Sequence, residues 1–113
     1  MAEIYQMNLK PSPFEAIKNG RKIVEMRLNK NGREKIKEGD FIVFNNEQNG
    51  EKIKVIVTSV SKFSSFEELY KNYDKKDLGY LPDQQADPND MLIYYKKEDI
   101  IRFGVLGIGI KLL

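Results

Sequence analysis

Apolar and polar positions alternate through Ile4–Leu9, with Tyr5, Met7 and Leu9 on one face and Gln6 and Asn8 on the other, the two-residue period of a half-buried strand. The pattern then changes. Within Ser12–Gly20, Ser12 is placed to cap a short helix, Pro13 to fill its first position, Glu15 to complete a capping box and Gly20 to stop the helix. A second strand is expected over about Ile23–Leu28, then a polar turn and a third strand at Phe41–Phe44. Asn45–Glu51 reads as a hairpin-type turn into a long strand with Ile53, Val55 and Val57 on one face. The unbroken apolar run Phe41–Phe44 implies a sheet covered on both faces, as in a closed barrel with flanking helices.

The second half is more helical and more irregular. Ser65 and Glu68 form a capping-box pair ahead of Phe66, Leu69, Tyr70 and Tyr73, which recur at helical spacing and read as core rather than as a ligand platform. Residues 75–90 carry no apolar period and form a loop of lid length. Asp87 and Pro88 are placed as cap and first position of a further helical segment bearing Met91, Leu92, Tyr94 and Tyr95. The last strand sets Leu106, Ile108, Ile110 and Leu112 on one face, and Gly107 and Gly109 leave the other nearly bare, the mark of a bend or a close approach.

Composition narrows the chemistry. With 113 residues the chain reads as one domain, residues 1–113, with a single modest core. It has no histidine and no cysteine, which removes Ser-His-Asp and Cys-His nucleophiles and His/Cys zinc sites, so no metal and no cofactor is expected. There is no signal-like start, and no apolar run approaches the roughly 20 residues of a membrane span, so a cytoplasmic protein without a membrane partner is expected. The net charge is only +2, but residues 18–37 hold eight basic and two acidic side chains, whereas residues 64–99 hold five lysines and nine acids. A concentrated basic segment is the footprint of a surface that meets phosphates.

Inside that segment lies "GRKIVEMR", Gly20–Arg27. Strand parity sets Arg21, Ile23, Glu25 and Arg27 on one face and Lys22, Val24, Met26 and Leu28 on the other. The second face is the core face, and an unpaired ammonium there costs several kcal/mol. Lys22 is therefore expected in the turn before regular strand geometry begins, free to swing toward a pocket.

The octapeptide resembles the G-x-K-x-x-E-x-R signature of ASCH domains, which share the PUA-like β-barrel. The "EGD" before Phe41 and the terminal "YYKKEDIIRFGVLGIGI" resemble later segments of bacterial members, in the same order. The resemblance implies an α+β fold: a small β-barrel of about five to six strands with two to three flanking helices. It also implies a pocket between barrel and first helix that presents the motif charges, and a role in binding RNA or a nucleotide- or nucleoside-like small molecule. Some small members are amidohydrolases that deacetylate acetylated cytidine with the motif lysine, a threonine three residues later and a glutamate from a following helical segment; others are ribonucleases. Carried over, the lysine is Lys22, the threonine position is occupied by Glu25, and Asp74 or Asp77 lies near the third position.

Two function classes follow. A binding module uses Arg21, Lys22 and Arg27 on phosphates or base edges, Glu25 to orient them, and Tyr94 or Tyr95 to stack. A hydrolase or small ribonuclease uses Lys22 and Glu25, with Asp74, as catalytic groups. An unperturbed lysine is neutral at pH 7 in only about one molecule in 2,500, and a nearby carboxylate works against a neutral amine. Binding of RNA or a nucleotide ranks first.

Overall fold

Strand β1 (Ile4–Leu9) forms where the alternation is cleanest, and its buried Met7 and Leu9 share a core with Phe14 and Ile17 of helix α1 (Pro11–Lys18). The computed structural model describes residues 2–113. The start of α1 differs from expectation: Lys10 is the N-cap with no side-chain hydrogen bond, Pro11 stands at the first position, and Ser12 and Glu15 lie inside the helix instead of forming a capping box. Proline has a preset φ and no N–H to satisfy, so Pro11 opens the helix without a side-chain cap. At the far end Gly20 reverses the chain with φ of 81°, and the N–H groups of Arg21 and Lys22 both donate to the Ala16 carbonyl at 2.9 Å. Strand β2 then runs Val24–Leu28.

Strands β3 (Phe41–Asn46), β4 (Lys52–Phe63) and β5 (Val105–Leu112) complete a five-stranded sheet in the order β1-β3-β4-β5-β2. β1 and β3 are parallel, Ile4 opposite Phe41 through Leu9 opposite Asn46, and the other pairs are antiparallel. A register shift between Val57 and Ser59 lets the long β4 bend. The sheet curls into a half-barrel, leaving β1 and β2 as its two edges. The Arg27 guanidinium spans that gap, donating from Nη2 to the Asn8 carbonyl at 2.9 Å.

Inside the curl, Ile42, Phe44, Val55, Val57, Leu106 and Ile108 pack beneath α1. Phe14 and Phe44 are fully buried, and each such side chain contributes about 1.5–3 kcal/mol. A second cluster joins Val24, Met26 and Leu28 of β2 to Phe66 and Leu69 of α2 (Phe66–Lys71) and Ile100 of α3 (Lys97–Phe103). The double coverage expected at Phe41–Phe44 is only partial. Ile42 and Phe44 are buried, but Phe41 and Val43 are half-buried, and Lys54 Nζ lies 4.6 Å over the Phe41 ring. A lysine stem, not a helix, screens that face.

The glycines of β5 are required by close approach. A Cβ on Gly107 would lie 2.8 Å from the Tyr73 hydroxyl, and one on Gly109 would strike the hydroxyls of Thr58 and Ser59 at the β4 irregularity. Ser65 Oγ accepts from Glu68 N–H at 3.2 Å, and Asp87 caps a 3-10 helix over Pro88–Ile93, accepting from Asn89 N–H at 2.9 Å. Helix α3 has no capping side chain at Lys96, but Glu98 and Asp99 stand in its first turn, Arg102 in its last and Gly104 at its C-cap with φ of 75°; Ile100 is buried and Ile101 is 82% exposed. Among the described residues no helix is long and apolar enough to cross a membrane.

Candidate functional site

Where the half-barrel fails to close, between β1, α1 and β2, a pocket of about 450 Å³ opens. Lys22 precedes β2 in irregular backbone, as the cost of burying an unpaired ammonium requires, and its side chain turns into the pocket beside Glu25. Lys22 Nζ stands 3.2 Å from Glu25 Oε1, and Arg27 Nε donates to Glu25 Oε2 at 2.8 Å. Glu25 Oε1 also accepts from the Met26 N–H at 3.1 Å. Lys22 is 7% exposed and Glu25 3% exposed.

The charges of this trio are held by one another. Burial alone would raise the Glu25 pKa; the positive charges of Lys22 and Arg27, with their hydrogen bonds, outweigh it and hold the carboxyl below its ordinary range. Burial pulls the Arg27 guanidinium down and Glu25 more than restores it. Burial also raises the Tyr95 phenol, against the pull of Arg27. Arg33 is lowered by its own burial and by the neighbouring Arg27, which places a further cation beside the site.

The network leaves donors unspent. An ammonium has three N–H groups and a guanidinium five. Lys22 gives one to Glu25, and Arg27 gives one to Glu25 and one to Asn8. Glu25, by contrast, already accepts from three groups. The floor is therefore rich in donors and poor in free acceptors.

The other residues singled out in the sequence separate. Tyr94 stands at the rim, 49% exposed; Tyr95 is half-buried and stacks on Phe66 with centroids 5.9 Å apart; both line the pocket. Arg21 lies outside the lining and donates from Nη1 to the Gly79 carbonyl at 2.5 Å. Asp74 is exposed and also outside the lining. Asp77 contributes its backbone carbonyl, which accepts from Ile23 N–H at 2.9 Å and Val24 N–H at 3.0 Å.

Sequence reasoning missed the opposite wall. Tyr70, read as core, lines the pocket with Tyr80, Gln84 and Asp90. Tyr80 donates to Asp90 Oδ2 at 2.8 Å, so in the 2.9 Å contact between the two hydroxyls Tyr70 is the donor. Helical spacing marked Tyr70 as inward-facing, but nothing local could pair it with a tyrosine across an irregular loop. The lining carries Lys10, Lys22 and Arg27 against Glu25, Glu47 and Asp90, so the pocket is mixed in charge and not basic as the segment count implies. Of the basic segment, Arg33, Lys35 and Lys37 have no acidic side chain within salt-bridge distance among the described residues, and Arg33 is near enough to Arg27 for the two charges to interact. Among the described residues no group of three His, Cys, Asp or Glu is placed to hold a metal ion.

The family model of the ASCH domain matches residues 7–112. No curated protein matches the chain. Among solved structures, the crystal structure of hypothetical protein PH0355 is similar at a TM-score of 0.84 and 29% identity, covering 97% of this chain and 99% of that one. The solution structure of protein PF0455 from Pyrococcus furiosus is 31% identical with a TM-score of 0.70, covering 97% of each chain. The ASCH structure from Zymomonas mobilis, 16% identical with a TM-score of 0.65 over 96% of this chain and 66% of that one, bears on the fold alone.

Proposed function

The chain belongs to the ASCH domain family, within the PUA-like class, and we propose that it binds single-stranded RNA or a nucleotide-like fragment by seating one base in the pocket between β1, α1 and β2. The observation that carries this reading is the Lys22–Glu25–Arg27 network, whose three members line a tyrosine-walled space of about 450 Å³ and whose two cations hold more donors than their bonds within the protein use. A base offers ring nitrogens and carbonyl oxygens as acceptors and a flat face for Tyr94 or Tyr95. The balanced lining disfavours a phosphate inside the pocket; Arg33, next to Arg27 but outside the lining, supplies positive charge for the backbone. Amide hydrolysis through Lys22 ranks second, because a nucleophilic amine must be neutral and the Glu25 carboxylate stands 3.2 Å from it.

The test is a titration of a fluorescent single-stranded RNA ten-mer with the protein. Three neutralised phosphates give a log–log salt slope of roughly −2, so affinity falls roughly 16-fold for a fourfold rise in salt. Lys22→Ala should weaken binding, and incubation of the wild type with acetylated cytidine should yield no deacetylation by chromatography. Absence of binding to any RNA would sink the proposal; deacetylation that disappears in Lys22→Ala would reverse the ranking.

A further inference from the structure

The loop between α2 and the Pro88–Ile93 helix reaches over the start of β2 and lies directly on Lys22. Leu78 is 4% exposed and packs with Val24 and Met26. The Asp77 carbonyl takes both the Ile23 and Val24 N–H groups. Gly79, at φ of 104°, sits so close to the Lys22 stem that an added Cβ would be 3.1 Å from Lys22 Cδ. Its carbonyl is gripped by Arg21 at 2.5 Å. The motif thus brackets its own lysine: Arg21, one residue before it, holds the turn that covers it.

From this geometry we propose that Arg21 and Gly79 are positioning residues: the Asp77–Tyr80 turn, clamped by Arg21, presses the Lys22 side chain against Glu25 and fixes where its ammonium enters the pocket. Arg21 acts through Lys22 and does not meet the ligand. Glycine is required at 79 twice over, for its left-handed φ and for the space that the Lys22 methylenes occupy. Because Leu78 and the Asp77 carbonyl anchor the turn independently, loss of Arg21 loosens the Gly79 peptide without unfolding the domain. This deepens the reading of the pocket as a binding site and rests on it for the ligand, but the test needs no ligand.

The free protein is treated with a dilute amine-acylating reagent, and each lysine is followed by mass spectrometry, with the exposed Lys62 and Lys111 as internal references. In the wild type Lys22 is among the slowest to react. Arg21→Ala should raise its labelling roughly tenfold relative to the references, the scale of a lost hydrogen bond from a charged donor. Arg21→Lys, which can still donate to the carbonyl, should return most of the protection, and Gly79→Ala should expose Lys22 with Arg21 intact. The RNA affinity of Arg21→Ala should fall toward that of Lys22→Ala, with thermal stability nearly unchanged. Unaltered Lys22 labelling in Arg21→Ala overturns the proposal, as does a rise shared by Lys62 and Lys111, which marks general opening. A wild type that binds no RNA yet shows this labelling pattern leaves the positioning role standing and removes only the ligand assignment.

Discussion

Replacing Glu25 by alanine should be among the most damaging single changes to the stability of this domain, although the residue lies in no apolar core. Glu25 is 3% exposed and is the counter-ion of two cations, at 3.2 Å and 2.8 Å. Its loss leaves Lys22 and Arg27 sharing a buried space with no negative partner, a change that costs about 3–5 kcal/mol where an exposed pair costs about 0–1. For 113 residues the entropy of unfolding is about 0.24 kcal/mol/K, so the melting temperature should fall by about 12–20 °C. Circular dichroism melts and urea titrations read this directly. A double-mutant cycle then isolates the cause: Lys22→Met should destabilise the wild type or leave it unchanged, yet stabilise the Glu25→Leu background, where it removes an unpaired cation. A loss below about 1 kcal/mol for Glu25→Ala, or the same Lys22→Met effect in both backgrounds, would refute the claim that Glu25 is the counter-ion on which both cations depend.

The remaining predictions concern acid, a cap and a glycine. Glu25 is held low against its burial by its two cations, and Asp40 is held low by hydrogen bonds from the backbone of Glu3 and then Lys37, at 3.0 Å each. Depressed folded values mean that their stabilisation is complete above the unfolded carboxylate pKa of about 4 and drains away as pH falls through and below it. Urea midpoints should therefore stay level from pH 7 to about 5 and fall below about 4, less steeply in Asp40→Asn; a decline that begins above pH 6 would contradict this. Ser65→Ala removes the acceptor for the Glu68 N–H and should cost about 1 kcal/mol, or about 4 °C in the melt. Gly107→Val drives a side chain into the Tyr73 ring and should cost about 1–3 kcal/mol; most of that penalty should vanish when Tyr73→Ala is added, and a penalty that persists would place the strain elsewhere.

Local pattern by itself determined much of this molecule. Alternation set the inward face of β1, Gly20 ended α1, Ser65 began α2, and the paired glycines of β5 announced a close approach that Tyr73, Thr58 and Ser59 fill. The cost of an unpaired charge in an apolar face was enough to set Lys22 outside regular strand geometry, where it precedes β2. These inferences hold because period, caps and desolvation act over a few neighbouring residues. Tertiary structure decided the rest. Only the strand order makes β1 and β2 the unpaired edges, so only the fold creates the gap that Arg27 bridges and the pocket fills. The sequence count of charge implied a basic site, but folding sends Lys18 to Glu51 and Lys30 toward Asp99 and brings Glu47 and Asp90 to the lining, leaving a balanced one. Arg21 and Arg27 looked alike along the chain; one grips a loop carbonyl and the other a buried carboxylate, because a side chain's partner is set by which distant backbone arrives beside it, and that is fixed by closure of the sheet and not by spacing along the strand.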